Sequence, residues 1–355
     1  MRTDPQPNIA ILADDLTSAA DGAAPFVARG VTALIGRGQL PRQAATVVAV
    51  DSGSRSATPS QAIERVARLT DQLANRAVLY KTVDSTLRGH IAQELEACFA
   101  ASGRTSLVFA PAFPQAGRTT VGGIQLVDGI PVSESSYGHD PVHPARHSAL
   151  IDLVPNCIKS VTLLDALTQE ELDSQIASIE DPESILWVGS PGMAAALARR
   201  FVPAKTLAPS IDGISNDVLV AIGSANLRSH IQADRLPEVS GVMLLRSPRT
   251  RERDSAAVLR RIADDAARAL QGPRFGALIA TGGDTMEAIL DRLDIREFEI
   301  LQELDPGFPL GRAGLGDGRS LLLAMKAGGF GNDDALERAV ARIRGAAQPL
   351  PKDSP

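Results

Sequence analysis

Short apolar runs that stop abruptly in small polar residues, each followed by a helical pattern, recur along this 355-residue chain. Ile9–Leu12 runs into Asp14-Asp15-Leu16-Thr17, Ala77–Tyr80 into Lys81 through Gly89, and Ala277–Ala280 into Thr281-Gly282-Gly283-Asp284-Thr285. Runs that are continuously apolar, rather than alternating, predict strands covered on both faces, hence mainly parallel sheets between helices. Open sheets of that type bind ligands outside the carboxyl ends of their strands, which is where these charged or bare-backbone segments fall.

Further strands are predicted at Thr32–Ile35, Thr46–Val50, Ser106–Phe109, Lys159–Leu164 and Ile185–Val188, with helices over Thr17–Arg29, Pro59–Arg76 and Gly89–Ala101. Between Thr119 and Pro155 glycines and prolines break the pattern and predict turns, irregular chain and a hairpin. Long ordered loops in compact enzymes are often functional, so this stretch is not assigned to disorder. Pro203, Pro209 and Gly213 mark a boundary between Val202 and Asn216. Beyond it come strands at Asp217–Ile222, Phe275–Ala280 and Ser320–Met325, and helices at Thr250–Leu270 and Met286–Leu293. Asp317-Gly318 reads as the closure of a hairpin. The expectation is an α/β fold of two domains, residues 1–208 and 209–355.

The 36 basic and 42 acidic side chains leave a net charge of −6, which gives no general attraction to nucleic acid or to an anionic membrane. Neither class of partner is expected. No stretch approaches 18 continuous apolar residues and no leader pattern opens the chain, while Cys98 and Cys157 lie outside any CxxC pair. A cytoplasmic protein with two structural thiols is the matching expectation.

The chemistry-bearing residues fall into two groups. At the front, Asp14 and Asp15 point opposite ways from a strand-like backbone, so one can face the ligand crevice while the other caps the next helix. Lys81, Asp84, Ser85, Thr86 and Arg88 fit two cations, a carboxylate and two hydroxyls into eight positions, which suits a small polyhydroxylated acid, although a surface turn with a cap has the same composition. Arg55, in the Asp51–Arg55 segment, and Arg118 can each add a basic contact or stand as ordinary exposed arginines. His139, His143 and His147 are spaced by four, but Pro141 and Pro144 argue against the unbroken helix that would align them, and no residue is assigned as a metal ligand.

At the back, Gly223-Ser224-Ala225-Asn226 and Gly282-Gly283-Asp284-Thr285 each follow a strand and precede a helix, where bare N–H groups can approach phosphate. Ser224 and Thr285 can add hydroxyl bonds, and Asp284 can hold hydrated magnesium or a ribose. Lys326, followed by Gly328 and Gly329, can neutralise phosphate. Either loop alone is also explained as a structural turn. There is no G-x-x-x-x-G-K-[ST] element, and no G-x-G-x-x-G follows the first strand.

Taken in order, Ala13–Thr17, Asp51–Arg55, Lys81–Gly89, Pro111–Pro114 with Gly117-Arg118, Asp140-Pro141, Gly189–Gly192, Gly223-Ser224, Thr281–Thr285, Gly307–Gly311 and Lys326–Gly331 resemble the four-carbon acid sugar kinase family over nearly the whole chain. The resemblance implies two α/β domains with the reaction at their interface, a front domain for a tetronate-like acid, a back domain for ATP with magnesium, and a homodimer. It implies phosphorylation of the terminal hydroxyl of threonate, erythronate or 3-oxo-tetronate. It places Asp14, Asp15, Arg55, Lys81, Asp84 and Arg88 around the acid, and Ser224, Gly282, Gly283, Asp284, Thr285, Gly328 and Gly329 around the nucleotide; Arg118 and Lys326 join these two sets on the reading of the residues above. Asp15 is the leading general base with Asp84 next, and Lys81 and Arg88 neutralise charge. Ser18, His90 and Ala327 stand where the family usually has glycine, asparagine and a small hydroxyl residue. A sensor that binds both ligands without transfer is the alternative reading, and a nicotinamide-dependent sugar-acid enzyme is a third.

Overall fold

The computed structural model describes residues 8–140, 143–205, 217–236, 238–249 and 254–346. The chain divides into two compact units, Met1–Leu207 and Ala208–Pro355. Pro141, most of the Val202–Asn216 boundary, the start of the Thr250 helix and the proline-rich tail lie outside the described residues.

Unit 1 contains strands β1 (Ile9–Ala13), β2 (Ala33–Arg37), β3 (Val47–Asp51), β4 (Val78–Thr82), β5 (Ser106–Ala110), β9 (Val161–Leu163) and β10 (Ile185–Gly189) in one sheet, and β6 (Arg118–Val121), β7 (Ile124–Val127) and β8 (Ile130–Pro131) in another. Its helices are α1 (Leu16–Val27), α2 (Pro59–Leu73), α3 (Ile91–Ser102), α4 (Gln169–Ser178) and α5 (Pro191–Phe201). The main sheet runs in the order β2-β3-β1-β4-β10-β5-β9, with every pairing parallel. Helices cover both faces. Ala10, Leu12, Val48, Val50 and Leu79 form one core with Val66, Leu69 and Leu73 of α2 and Leu95 and Cys98 of α3. Ile11 faces the opposite way, where Gly22 lets α1 approach.

Local signals fix the helix ends. Thr58 and Gln61 form a capping box ahead of Pro59 in α2, and Gly103 in the left-handed region stops α3. The Thr119–Pro155 stretch folds as the predicted hairpin, β6 against β7, extended by β8 and short 3-10 turns.

Unit 2 contains β11 (Asp217–Ile222), β12 (Val242–Arg246), β13 (Phe275–Thr281), β14 (Glu297–Asp305), β15 (Phe308–Gly314) and β16 (Ser320–Lys326), with helices α6 (Leu227–Asp234), α7 (Ser255–Gln271), α8 (Gly283–Arg292) and α9 (Ala335–Ala346). The strand order is β12-β11-β13-β16-β15-β14, parallel except for the antiparallel β14-β15-β16 meander. Gly318, at φ 85°, closes the β15–β16 hairpin beside Asp317. In both units strands run past their apolar stretch by one or two residues, so that Lys81, Thr82, Thr281 and Lys326 belong to strands rather than to loops.

Candidate active site

β1 has β3 on one side and β4 on the other, and the chain changes direction across the sheet there. Such a switch point opens a crevice outside the strand ends. Three loops converge on it. Asp14 leaves β1 almost fully buried, and Arg55, from the loop after β3, grips it with Nε to Oδ2 at 2.7 Å and Nη2 to Oδ1 at 3.0 Å. The same guanidinium pairs with Oδ2 of Asp15 and donates to Ser18 Oγ at 3.2 Å. Asp15 also caps α1, its Oδ1 accepting from the Ser18 N–H at 2.7 Å.

The loop after β4 supplies Asp84, which accepts from Thr86 Oγ1 at 2.6 Å and from Arg88 Nε at 2.5 Å. Arg88 Nη1 reaches Asp140 Oδ2 at 3.3 Å. Gly89, at φ 98°, holds a backbone conformation that side-chain-bearing residues rarely adopt, and it lies in ordinary contact range of Asp14 Oδ2. The β6–β8 segment adds Arg118, whose Nη2 donates to the Tyr137 hydroxyl at 2.8 Å.

Lys81 lies elsewhere than a loop position would put it. It shares the parity of Leu79, so its side chain enters the α2–α3 face of the sheet, where it is wholly buried and paired with Glu94 Oε2 at 2.7 Å. Its ammonium also donates to the Thr82 carbonyl at 2.8 Å. The three histidines diverge: His139 lies by the Ser135 carbonyl, the backbone N–H of His143 donates to Asp140, and His147 faces Asp152. Among the described residues no group of three or more His, Cys, Asp or Glu gathers to hold a metal.

The electrostatics follow from burial and pairing. Burial, aided by Asp14, raises the Asp15 carboxyl above its ordinary range despite the opposing pull of Arg55. Burial also works against the Asp84 carboxylate, but Arg88 and Arg55 outweigh it and hold Asp84 well below the usual range. Two carboxylates that act on the same Arg55 and have divergent proton affinities are the arrangement expected where one must accept a proton.

In unit 2 the loops after β11, β13 and β16 converge. A Cβ on Gly223 would stand 2.1 Å from Thr285 Oγ1, and one on Gly328 would stand 2.2 Å from Ser224 Oγ, so the three loops touch through bare backbone. Gly282 is the N-cap of α8 and brings no side-chain acceptor to its first turn, leaving that end suited to an anion. Asp284 is exposed there and Thr285 is buried. Gly329 packs beside Asn226. Lys326 is buried, and among the described residues its ammonium donates to the Ala327 and Phe330 carbonyls, at 3.1 and 3.0 Å. Burial, with Arg228 nearby, brings it down to about 7. Beside it across the sheet, Thr281 Oγ1 is buried without a hydrogen-bond partner.

A family model described as a sugar-binding N-terminal domain matches residues 9–163, and one described as a nucleotide-binding C-terminal domain matches residues 214–336. A D-threonate kinase of Bordetella bronchiseptica is 30% identical to this chain, over 95% of this chain and 98% of its own. The chain belongs to the four-carbon acid sugar kinase family. A second D-threonate kinase, from Cupriavidus necator, is 30% identical over 93% of this chain and 96% of its own. A Bordetella bronchiseptica protein crystallised with bound citrate as a domain-swapped dimer is 29% identical, covers 97% of this chain and 100% of its own, and superposes with a TM-score of 0.50. The alignment with the Bordetella kinase spans 399 positions against 355 residues here, so that relative carries insertions this kinase lacks.

Two residues of the kinase escape a reading of motifs. Glu94, three residues into α3, neutralises Lys81 inside the core; an acidic residue in a helix otherwise reads as solvent-facing. Gln125, fully buried in β7, donates to the carbonyls of Ser85 at 2.8 Å and Pro111 at 3.2 Å and accepts from Thr120 Oγ1 at 2.6 Å. It ties the Asp84–Arg88 loop to the hairpin. Gln125→Leu strands two buried carbonyls, so kcat/KM for the acid is expected to fall about tenfold to a hundredfold, at about 1–3 kcal/mol for such groups, with ATP binding unchanged in calorimetry.

Proposed function

We propose that this kinase transfers the γ-phosphoryl group of ATP to the terminal hydroxyl of D-threonate. The observation that carries the reading is the Asp14–Arg55–Asp15 cluster at the switch point of a sugar-binding unit, with Asp84 and Arg88 packed against it. Arg88 and Arg118 take the carboxylate of the acid, a planar anion suited to a guanidinium fork. Asp84, held ionised by its arginines, accepts bonds from the substrate hydroxyls.

Asp15 acts as the base. It holds its proton more readily than Asp84, and its side chain is 18% exposed against 4% for Asp14, which Arg55 grips with two bonds where it makes one ion pair with Asp15. Arg55 contacts both aspartates and fixes their directions. Lys81 acts from behind the sheet, its charge and that of Glu94 holding the end of β4 in place.

In unit 2, Ser224, the Gly282–Thr285 turn and Gly328-Gly329 offer N–H and hydroxyl groups to the triphosphate, and Lys326 adds charge. The donor set at these loops, one exposed carboxylate on Asp284 with the Ser224 and Thr285 hydroxyls, fits magnesium that arrives on the nucleotide and keeps most of its ligands as phosphate and water. The ion would neutralise phosphate charge during transfer. Two free thiols and the swapped dimer of the citrate-bound relative favour a cytoplasmic homodimer.

The test is ATP consumption by purified protein with D-threonate, D-erythronate and 3-oxo-tetronate. D-threonate is expected to give the highest kcat/KM; preference for either other acid would overturn the substrate assignment. Asp15→Asn is expected to lower kcat by about 10²–10⁴ with KM for ATP unchanged. The wild-type profile should carry an acid limb above the ordinary carboxylate range, because the base works only when ionised and burial raises its proton affinity. That limb should vanish in the variant, and its persistence would remove Asp15 from the role.

A further inference from the structure

Tyr137 lies in the segment between the 3-10 turn after β8 and Asp140, and two guanidinium groups approach its ring. The Arg88 guanidinium carbon lies 5.2 Å from the ring centroid, and that of Arg118 lies 5.7 Å from it. Arg118 Nη2 also donates to the Tyr137 hydroxyl at 2.8 Å. Both distances fall within the range in which an aromatic face attracts a cation.

Two like charges this near one ring repel each other, and Asp84 and Asp140 restrain the Arg88 end of the pair. The ring quadrupole opposes that repulsion, and the phenol oxygen fixes the direction of one of the forks. Tyr137 itself is neutral. It therefore adds no charge that would compete with an anionic ligand, unlike Asp84, which already binds Arg88. The backbone around it is held by its own bonds: Tyr137 N–H donates to Ser135 Oγ at 3.2 Å, and its carbonyl accepts from the Ala145 N–H at 3.0 Å.

We infer that Tyr137 is a positioning residue that holds Arg88 and Arg118 at one spacing for a single carboxylate, and so makes this kinase discriminate acids from neutral polyols of the same length. The inference rests on the proposed placement of the acid at Arg88 and Arg118. It assigns selectivity to an uncharged ring on the β6–β8 segment, which no charge pattern in the sequence marks.

The experiment compares wild type, Tyr137→Phe and Tyr137→Leu with D-threonate and with the neutral tetritol that lacks the carboxylate, following kcat and KM for each and KM for ATP. Tyr137→Phe keeps the ring and loses the phenol acceptor, and KM for D-threonate is expected to rise about tenfold, the effect of one hydrogen bond to a charged group. Tyr137→Leu loses the ring as well and should raise it about a hundredfold. In both, kcat should stay within about threefold, while KM for ATP and kcat/KM for the tetritol stay level. The acid-over-polyol ratio thus collapses in the order wild type, Phe, Leu. A merely structural role would instead lower kcat, raise KM for ATP and depress turnover of both acceptors together, and that pattern overturns the inference. Unchanged KM for the acid in Tyr137→Phe and Tyr137→Leu, with wild type active on D-threonate, also overturns it and leaves the function standing. Wild type that neither binds nor phosphorylates any four-carbon acid removes both.

Discussion

Arg55→Met is expected to lower kcat/KM for the acid by about a thousandfold and to leave ATP binding intact. The guanidinium is the only cation that contacts both Asp14 and Asp15 among the described residues, through a two-bond grip on the first and an ion pair with the second. Although burial disfavours its charge, Asp14, Asp15 and Asp84 together hold it protonated. Methionine fills similar volume and leaves two adjacent carboxylates with their mutual repulsion uncompensated. Stranding a buried charge in this way costs about 3–5 kcal/mol, which corresponds to two to three orders of magnitude in an equilibrium. Asp15, whose proton affinity burial and Asp14 already raise, loses the opposing pull of Arg55 and holds its proton, which removes the base. The variant should therefore lose part of its thermal stability at neutral pH and recover some of it as the pH falls through the raised carboxyl range. Calorimetric ATP binding equal to wild type, alongside the loss of acid turnover, is the expected pair of results. Loss of ATP binding to the same degree would contradict the division of labour between the units.

The second large effect concerns Lys326. In the free protein this ammonium is buried with two carbonyls as its acceptors among the described residues, and burial brings it down to about 7. A triphosphate beside it favours the charged form, so nucleotide binding raises its proton affinity. Below pH 7 the lysine is charged with or without ATP, and affinity should be level. Above pH 7 the free protein has lost the proton that the complex retains, and affinity should weaken by about tenfold per pH unit until the bound-state value is passed. At pH 8, calorimetry in buffers of different ionisation enthalpy should register uptake of close to one proton per ATP. Lys326→Met should abolish that uptake and weaken ATP binding about tenfold to a hundredfold.

The stability linkage has its own sign. The unfolded lysine, at its ordinary value of 10.5, binds more protons than the folded one, so wild-type stability rises with pH between about 7 and 10.5. In Lys326→Met this slope should disappear, and the protein should melt higher at pH 7. A variant that binds ATP as well as wild type and melts lower would contradict the placement of the charge.

The strand-and-loop grammar is legible because continuous apolar runs such as Ile9–Leu12 and Ala277–Ala280 are short and end in turn-forming or polar residues, which separates central strands from buried helix segments. The local clusters were legible because Asp14, Arg55 and Asp84 all follow such runs. What escaped was the depth of the residues that end them. Lys81 and Lys326 look like loop cations because a polar residue terminates an apolar run, yet backbone pairing continues through them, and parity then sends their side chains into the sheet's covered face. The partners that make this tolerable, Glu94 for one and two carbonyls for the other, lie on segments with no periodic signal connecting them to the lysine. The hairpin was readable from its glycines. That it would carry Gln125 to the Ser85 carbonyl and Tyr137 to two arginines was not, because those contacts depend on how β6–β8 folds back over the loops. The β14 strand escapes for a simpler reason: Glu297–Asp305 mixes polar and apolar residues, with an irregular register against β15, and so falls outside the continuous-run criterion.

The central claim is tested most directly by identifying the product. D-threonate incubated with ATP, magnesium and the kinase should yield ADP and one equivalent of a phosphorylated acid whose phosphorus couples, in proton–phosphorus NMR, to the terminal methylene protons. Phosphorus coupled to a methine proton instead, or ADP formed without any phosphorylated acid, would contradict it.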